Sequence, residues 1–140
     1  MEPVFVIIIA VLVAIFCAAS FIRAGKAARF VLRSKIHKAT VTEADLDYVG
    51  SVTIDEALME KAGLWPGEKV LIASNTSGAR LETYVVSGKR DSGVVCMNGA
   101  AAHLIKKGEE VIIMAFALSG KPLNPANILV DARNKFVRYQ

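Results

Sequence analysis

Residues 80–97 read RLETYVVSGKRDSGVVCM, and this stretch decides the fold class. Polar and apolar side chains alternate from Arg80 to Val86, which is the period of a β-strand with one buried face. The charged stretch from Lys89 to Gly93 predicts a turn, and Val94 to Met97 predicts a second strand. Two short strands joined by a charged turn indicate a mainly β domain.

Similar short strands occur on both sides of this stretch. They are predicted at residues 35–41, 51–54, 68–73, 109–116 and 128–131. Many short strands with helical turns between them predict a small closed barrel, because closure removes exposed strand edges.

Three short helical segments are predicted between the strands. Thr42, followed three residues later by the acid Asp45, is an N-terminal capping signature, and that helix should end near Gly50. Asp55 caps a second helix, which Gly63 stops. A last helical turn is predicted after Asn98.

An uncharged apolar run occupies residues 4–22 and is long enough to cross a bilayer as a helix. Basic residues follow it, which would keep the rest of the chain on the cytoplasmic face of the membrane. Two alternatives remain: a cleaved secretory signal, which should have a basic start, and a start assigned too early, with Val31 as the first residue. We divide the chain into an apolar N-terminal extension, 1–30, expected to be helical, and a domain, 31–140.

Charge and cysteine usage exclude several classes of protein. The net charge is +4, and no basic stripe interleaved with aromatic residues appears, so no nucleic-acid partner is expected. Cys17 and Cys96 have no patterned spacing, and His37 and His103 are isolated, so neither a disulfide framework nor a metal site is predicted. A reducing compartment, the cytoplasm, fits best.

Taken alone, the residues present no strong catalytic motif. Gly50-Ser51 reads as an ordinary turn between two elements. The run from Asn98 to Ala101 is either a tight turn or a backbone whose N–H groups a small ligand can approach.

Five motifs together resemble the bacterial aspartate 1-decarboxylases, pyruvoyl-dependent enzymes that make β-alanine for pantothenate and coenzyme A synthesis. They occur in the family's order and spacing, and are SKIHKA at 34–39, TEADL at 42–46, YVGS at 48–51, RLETY at 80–84 and NGAAAH at 98–103. The resemblance runs from about Arg29 to about Asp131 and excludes the apolar N-terminus. It implies a six-stranded double-psi β-barrel with short helices.

The resemblance also implies that the chain makes its own cofactor. The Ser51 hydroxyl would attack the Gly50 carbonyl, and elimination and hydrolysis would leave a pyruvoyl group at position 51. Its ketone would take the amine of L-aspartate as a Schiff base and serve as the electron sink for decarboxylation. The chain would then exist as fragments 1–50 and 51–140.

Other site residues carry over from the same resemblance. Tyr84 would be the proton donor and Thr83 would hold the Gly50 carbonyl or the substrate, although strand alternation puts them on opposite faces unless a bulge or strand edge intervenes. Arg80 and Lys35 would bind the substrate carboxylates. Taken alone, each of these four residues has an ordinary structural explanation.

The remaining candidates lie around the small-residue loop. Backbone N–H groups of Gly99, Ala100 and Ala101 would bind substrate. The resemblance also suggests three further pocket residues: His37, Tyr48 and Asn98.

Assembly and partners follow from the resemblance too. A homotetramer is expected, with four copies of each fragment, and a maturation factor is a candidate partner. Membrane contact is expected only if residues 4–22 are a real anchor. The competing hypothesis is a non-enzymatic, membrane-anchored binding module on the same barrel, in which the Gly50–Ser51 bond stays intact.

Overall fold

The computed structural model describes residues 7–16 and 27–140. Residues 7–16 form a helix, α1, which agrees with the helical N-terminal extension predicted from the sequence. Among the described residues, no helix is both long and apolar enough to span a bilayer. The remainder of the predicted apolar run, 4–6 and 17–22, lies outside the described residues.

Nine strands and two further short helices make up residues 27–140. The strands are β1 Arg29–Thr40, β2 Glu43–Asp45, β3 Val52–Asp55, β4 Lys69–Ser74, β5 Arg80–Gly88, β6 Val95–Asn98, β7 Glu110–Ser119, β8 Ala126–Val130 and β9 Phe136–Tyr139. The helices are α2 Glu56–Ala62 and α3 Ala101–Leu104. The prediction of a mainly β fold with short helices is confirmed.

The strands form one hydrogen-bonded series in the order β2-β6-β3-β5-β4-β7-β1-β8-β9. Three neighbouring pairs are parallel, namely β2 with β6, β3 with β5, and β1 with β8. The other pairs are antiparallel. This order places β5 three strands from β1, which matters for the site described below.

The core lies on one face of the sheet because the strands alternate. On β4, Val70 and Ile72 are buried, and on β7, Ile113 and Ala115 are buried. The residues between them point to the opposite face, here called the outer face. Leu58, Met59 and Ala62 of α2 close over the core.

The helix predicted after Thr42 is wrong. Residues 43–45 form β2 and pair in parallel with 96–98 of β6. The Thr42 hydroxyl does not cap a helix: it donates to the Val95 carbonyl at 3.1 Å and accepts from the Val95 amide at 3.0 Å. Pairing with β6 therefore outweighs the local capping signature.

The predicted helix after Asp55 is confirmed as α2. The Asp55 carboxylate accepts from the Ala57 amide at 2.8 Å, and Gly63 ends the helix with φ of 66°. Asp55 also accepts from the amides of Asp91 and Gly93, so it joins the start of α2 to the loop before β6.

Candidate active site

A cleft of about 440 Å³ opens where β5 extends beyond the end of β3. Pairing between the two strands begins at Val52 and Val85, so residues 80–84 of β5 have no partner on that edge. The cleft is lined by residues of the Gly50–Ser51 turn, β5, the end of β6 and α3: Gly50, Ser51, Leu81, Glu82, Thr83, Tyr84, Asn98, Ala100, Ala101 and Leu104.

The Gly50–Ser51 turn has an unusual backbone. Gly50 has φ of 75° and Ser51 has φ of 93°, a value that a residue with a Cβ rarely adopts. The Gly50 amide donates to the Tyr48 carbonyl at 2.7 Å, which closes a tight three-residue turn. A serine in this region carries strain on the order of 1–3 kcal/mol, located at the bond that the sequence predicts to break.

The Ser51 side chain is buried and held by Asn98. Ser51 is 2% exposed, and its Oγ accepts from Asn98 Nδ2 at 3.0 Å. The same Nδ2 donates to Thr53 Oγ1 at 2.9 Å. Asn98 stands opposite Ser51 because its amide donates to the Ser51 carbonyl at 3.0 Å. The hydroxyl therefore has a fixed position before any reaction.

Gly99 lets two backbone segments meet behind the cleft. A Cβ at this position would lie 2.7 Å from the Tyr48 carbonyl oxygen and 2.8 Å from the Gly50 nitrogen. The Gly99 amide donates to the Asp45 carbonyl at 2.6 Å, so this N–H is already used within the protein. The amides of Ala100 and Ala101, by contrast, have no partner within residues 27–140.

Thr83 and Tyr84 both line the cleft although they lie on opposite faces of β5. Thr83 pairs with the core residue Val70, and Tyr84 pairs with outer-face Lys69. Because the edge of β5 is open here, side chains from both faces reach the cleft, as the sequence argument required. The Tyr84 hydroxyl lies 3.4 Å from the Val49 carbonyl, next to the Gly50–Ser51 bond.

The other predicted residues lie outside this lining. Arg80 starts β5 on the outer face with an exposed side chain, and Tyr48 is about half exposed before the turn. Lys35 and His37 lie on β1, three strands from β5, or roughly 14 Å across the sheet. A single chain therefore does not bring Lys35 or His37 to Ser51.

His37 lies in an unusual position on the outer face. Its Nδ1 and the Oδ1 of Asn127 are the buried side-chain polar atoms without a partner in the part of the chain described. Burial, then Lys35 and Lys38, lowers the pKa of His37, while Glu110 raises it in part. The imidazole is therefore held in its neutral form.

Sequence reasoning missed three residues that line the cleft and one beneath it. Leu81 and Glu82 of β5 and Leu104 of α3 are in the lining, and nothing in the sequence pattern marked their side chains as part of a site. Cys96, buried two residues before Asn98, contacts the Asn98 side chain. Asn98 directly follows the predicted strand 94–97, two residues after Cys96, so the sequence alone could have placed the two side chains on the same face.

No metal centre competes with this site in the described residues, where no group of three or more His, Cys, Asp or Glu could hold an ion. A second cleft of about 470 Å³ lies on the outer face near Phe30 and Phe116. It carries the Lys69–Glu82 ion pair, 2.6 Å long, and its lining includes no serine, threonine or cysteine.

Known proteins match nearly all of residues 27–140. The profile of a family described as aspartate decarboxylase matches residues 27–137. The aspartate 1-decarboxylase of Neisseria meningitidis serogroup C is 55% identical over 111 residues, covering 76% of this chain and 87% of the relative. That of Porphyromonas gingivalis is 54% identical over 112 residues, covering 76% of this chain and 95% of the relative.

A further relative and one solved structure were also found. The aspartate 1-decarboxylase of Pelotomaculum thermopropionicum is 53% identical over 111 residues, covering 76% of this chain and 84% of the relative. The solved structure is that of the computationally designed protein msDPBB_sym2, with a TM-score of 0.39 and 23% identity. It covers 62% of this chain and 99% of the designed one.

Proposed function

The chain belongs to the aspartate decarboxylase family, and from this premise we propose that it cleaves itself at Gly50–Ser51 and then acts on L-aspartate. The reaction is removal of the α-carboxylate to give β-alanine and carbon dioxide, which supplies pantothenate and coenzyme A synthesis. The fold is the double-psi β-barrel of that family. The strained, buried Ser51 beside Asn98 is the observation that carries the proposal.

Self-cleavage begins with the two residues of the strained turn. Ser51 Oγ bonds to the Gly50 carbonyl carbon, the C–N bond breaks, and the hydroxyl proton passes to the released amine. The ester then loses the Ser51 Cα proton and its Cβ–Oγ bond, which leaves a carboxylate on Gly50. The Cα=Cβ double bond left on residue 51 takes up a proton at Cβ as its amine becomes an imine. Water then replaces the imine nitrogen, which leaves as ammonia, and a methyl ketone remains at position 51. Asn98 favours the first step because its Nδ2 already fixes the Oγ position, at 3.0 Å.

The residues present fit a pyruvoyl group at this position. Its precursor is a buried serine, which Ser51 provides, and Asn98 provides a hydrogen-bond donor beside it. Gly99 has no Cβ, so the facing loop leaves room for the turn. The pyruvoyl ketone supplies the electron sink that loss of the α-carboxylate requires. The Asn98 Nδ2 is the donor available to polarise it.

The cleft walls then bind the substrate and return a proton. The amides of Ala100 and Ala101, which have no partner within residues 27–140, suit a carboxylate. Arg80 lies outside the cleft lining, one residue before Leu81, and we assign its guanidinium to the second carboxylate of the substrate. Tyr84 carries its hydroxyl to the Gly50–Ser51 turn and is the group placed to protonate the α-carbon. Thr83 contributes a hydroxyl from the opposite face of the same strand.

We further propose that a neighbouring subunit supplies Lys35 and His37 within a homotetramer of four short and four long fragments. The outer face presents an apolar surface between these residues and β5, with Phe30 80% and Leu118 65% exposed. Lys35, Met114, Leu71 and Glu82 lie in one row across it. Packing two such faces together would bury the apolar surface and bring the Lys35 of one chain to the cleft of the other.

The proposed location is the cytoplasm. The reducing environment suits the buried free thiol of Cys96, and the substrate is a soluble amino acid. An anchor at residues 4–22 would keep the domain on the cytoplasmic face.

Mass spectrometry of the purified protein under denaturing conditions tests the proposal. Two fragments that meet at Gly50 and Ser51, the longer one starting with a pyruvoyl group, together with β-alanine formation from aspartate, are expected. A single intact chain without activity would instead support the binding module. Cleavage only after addition of a cell extract would indicate a maturation factor.

A further inference from the structure

We propose that Cys96 is a positioning residue, which fixes the side-chain amide of Asn98 so that its Nδ2 faces Ser51. This inference rests on the function proposed above, because it concerns the same serine. The structure gives a continuous chain of hydrogen bonds from the thiol to the Ser51 hydroxyl.

The geometry of this chain is set by two facing strands. Thr53 of β3 stands opposite Cys96 of β6, and Asn98 follows two residues later on the same face as Cys96. Cys96 Sγ lies 3.1 Å from Asn98 Oδ1. On the other side of the amide, Nδ2 donates to Ser51 Oγ at 3.0 Å and to Thr53 Oγ1 at 2.9 Å. Both ends of the Asn98 amide are therefore engaged.

The thiol can serve as a donor because it keeps its proton. Burial, and then the Glu43 carboxylate, raises the pKa of Cys96, although a backbone hydrogen bond with Asp45 lowers it in part. A protonated Sγ has one hydrogen to donate, and Asn98 Oδ1 is nearer to it than the Met97 carbonyl at 3.8 Å. The thiol hydrogen therefore points to the amide oxygen.

This donor selects one of the two amide orientations. A flipped Asn98 would turn its NH₂ group to the thiol and its oxygen to Ser51 and Thr53. The flipped amide could only accept from the Ser51 hydroxyl, and would no longer donate to it or to a carbonyl formed at that position. Without the thiol, Asn98 Oδ1 loses this donor, and the orientation with Nδ2 toward Ser51 is no longer favoured over the flipped one. Cys96 thus acts on Ser51 through Asn98 and touches neither the turn nor the substrate.

The test follows self-cleavage of newly made full-length chains by cell-free synthesis. Cys96→Ala should slow the appearance of the two fragments by about fivefold, the factor that one hydrogen bond is typically worth. Cys96→Ser should restore much of the rate, because a hydroxyl can donate to the same oxygen. Val95→Ala is the matched control, since it truncates the preceding buried residue, which faces the core. It should lower the melting temperature and leave the cleavage rate unchanged.

A second background separates positioning from general damage. In Asn98→Ala chains, Cys96→Ala should have no further effect on the rate, because the group through which it acts is gone. The inference is overturned if Cys96→Ala cleaves at the parent rate, if Cys96→Ser fails to exceed Cys96→Ala, or if the two substitutions slow cleavage additively. Failure of the parent chain to cleave even after addition of a cell extract would overturn the proposed function instead.

Discussion

Ser51 combines three properties in one residue: burial, a fixed hydroxyl and a backbone with φ of 93°. In the proposed mechanism the hydroxyl does the chemistry, whereas the backbone conformation is imposed by the surroundings. Removing the hydroxyl should therefore leave the conformation in place and stop the reaction.

Ser51→Ala should give a single chain of 140 residues with no decarboxylase activity, since no oxygen remains to form the ester. Intact-mass measurement and a β-alanine assay check both outcomes. Thr53→Val, which alters the other acceptor of Asn98 Nδ2, is the control and should still cleave. Cleavage in Ser51→Ala would contradict the assigned mechanism.

Tyr84→Phe should self-cleave normally and lose turnover by roughly a hundredfold to ten-thousandfold, the usual contribution of general acid catalysis. The phenol is lost while the ring remains at the cleft. Fragment analysis and steady-state kinetics separate the two steps. Tyr139→Phe is the control, since its hydroxyl bonds the Lys61 carbonyl away from the cleft. Turnover of Tyr84→Phe within about threefold of the parent would make Tyr84 a structural residue on that scale.

Gly99→Ala should destabilise the fold far more than Gly78→Ala. Both glycines have positive φ, so each alanine has a conformational cost of roughly 1–2 kcal/mol. Only at Gly99 would the added Cβ meet backbone atoms under 3.0 Å away, whereas nothing lies within 4 Å at Gly78. Urea unfolding of both variants measures the difference. Equal losses of unfolding free energy in the two variants would show that the turn at Gly50 can shift to accommodate the added Cβ.

At the scale of elements, the sequence predicted the strands whose alternation extends over several residues, such as 80–86 and 109–116. It failed for β2, because three residues carry too little periodicity and the Thr42 hydroxyl is used by β6 instead of a cap. It also could not show that β3 starts opposite Val85, which opens the β5 edge and admits both Thr83 and Tyr84. Such registers depend on contacts distant in sequence.

Glu109 joins two elements and should make stability depend on pH. Hydrogen bonds from Ser74, then Ser77 and the Lys106 amide, lower its pKa, so β4 and the start of β7 are held together by the ionised form. A lowered pKa contributes stability above the unfolded-state pKa of glutamate, and this contribution is lost as pH falls through the folded-state pKa.

Glu109→Gln should therefore cost about 1 kcal/mol near neutral pH, after allowance for solvent exposure. The difference from the parent should shrink as the pH is lowered past the ordinary glutamate range. Denaturant unfolding at several pH values measures it. Glu110→Gln, at the adjacent residue, is the control, because it removes the same charge without touching the hydrogen bonds from Ser74 and Ser77. A pH-independent difference for Glu109→Gln would mean that shape rather than charge matters there.

At the scale of the whole molecule, the proposed site would draw its residues from two chains. The family motifs name Lys35 together with Ser51, but the sheet order separates β1 from β5 by two intervening strands. A motif on one strand predicts which residues occur there and which face of the sheet they lie on. It does not predict whether those residues contribute to a site in their own chain or in a neighbouring chain. This is the part of the site that the sequence could not supply.

Mixed assemblies test the proposed sharing between subunits. Lys35→Ala and Ser51→Ala chains, each inactive alone, should recover activity when coexpressed, because some sites combine an intact Lys35 from one chain with an intact Ser51 from another. Asn98→Ala coexpressed with Ser51→Ala is the control: both residues belong to one cleft, so no site is whole. Lack of recovery in the first mixture would place Lys35 outside the shared site.

The position of β1 between β7 and β8 has a consequence for the lifetime of the protein. In the proposed maturation, the cut between Gly50 and Ser51 would leave β1 and β2 in one fragment and every later strand in the other. The mature protein would then be a non-covalent complex, and its reassembly after unfolding would require two fragments to meet. Pairing of the two fragments should then add a dependence of its apparent stability on concentration that the uncut chain lacks. The proposed maturation would therefore be a one-way step in folding as well as in chemistry.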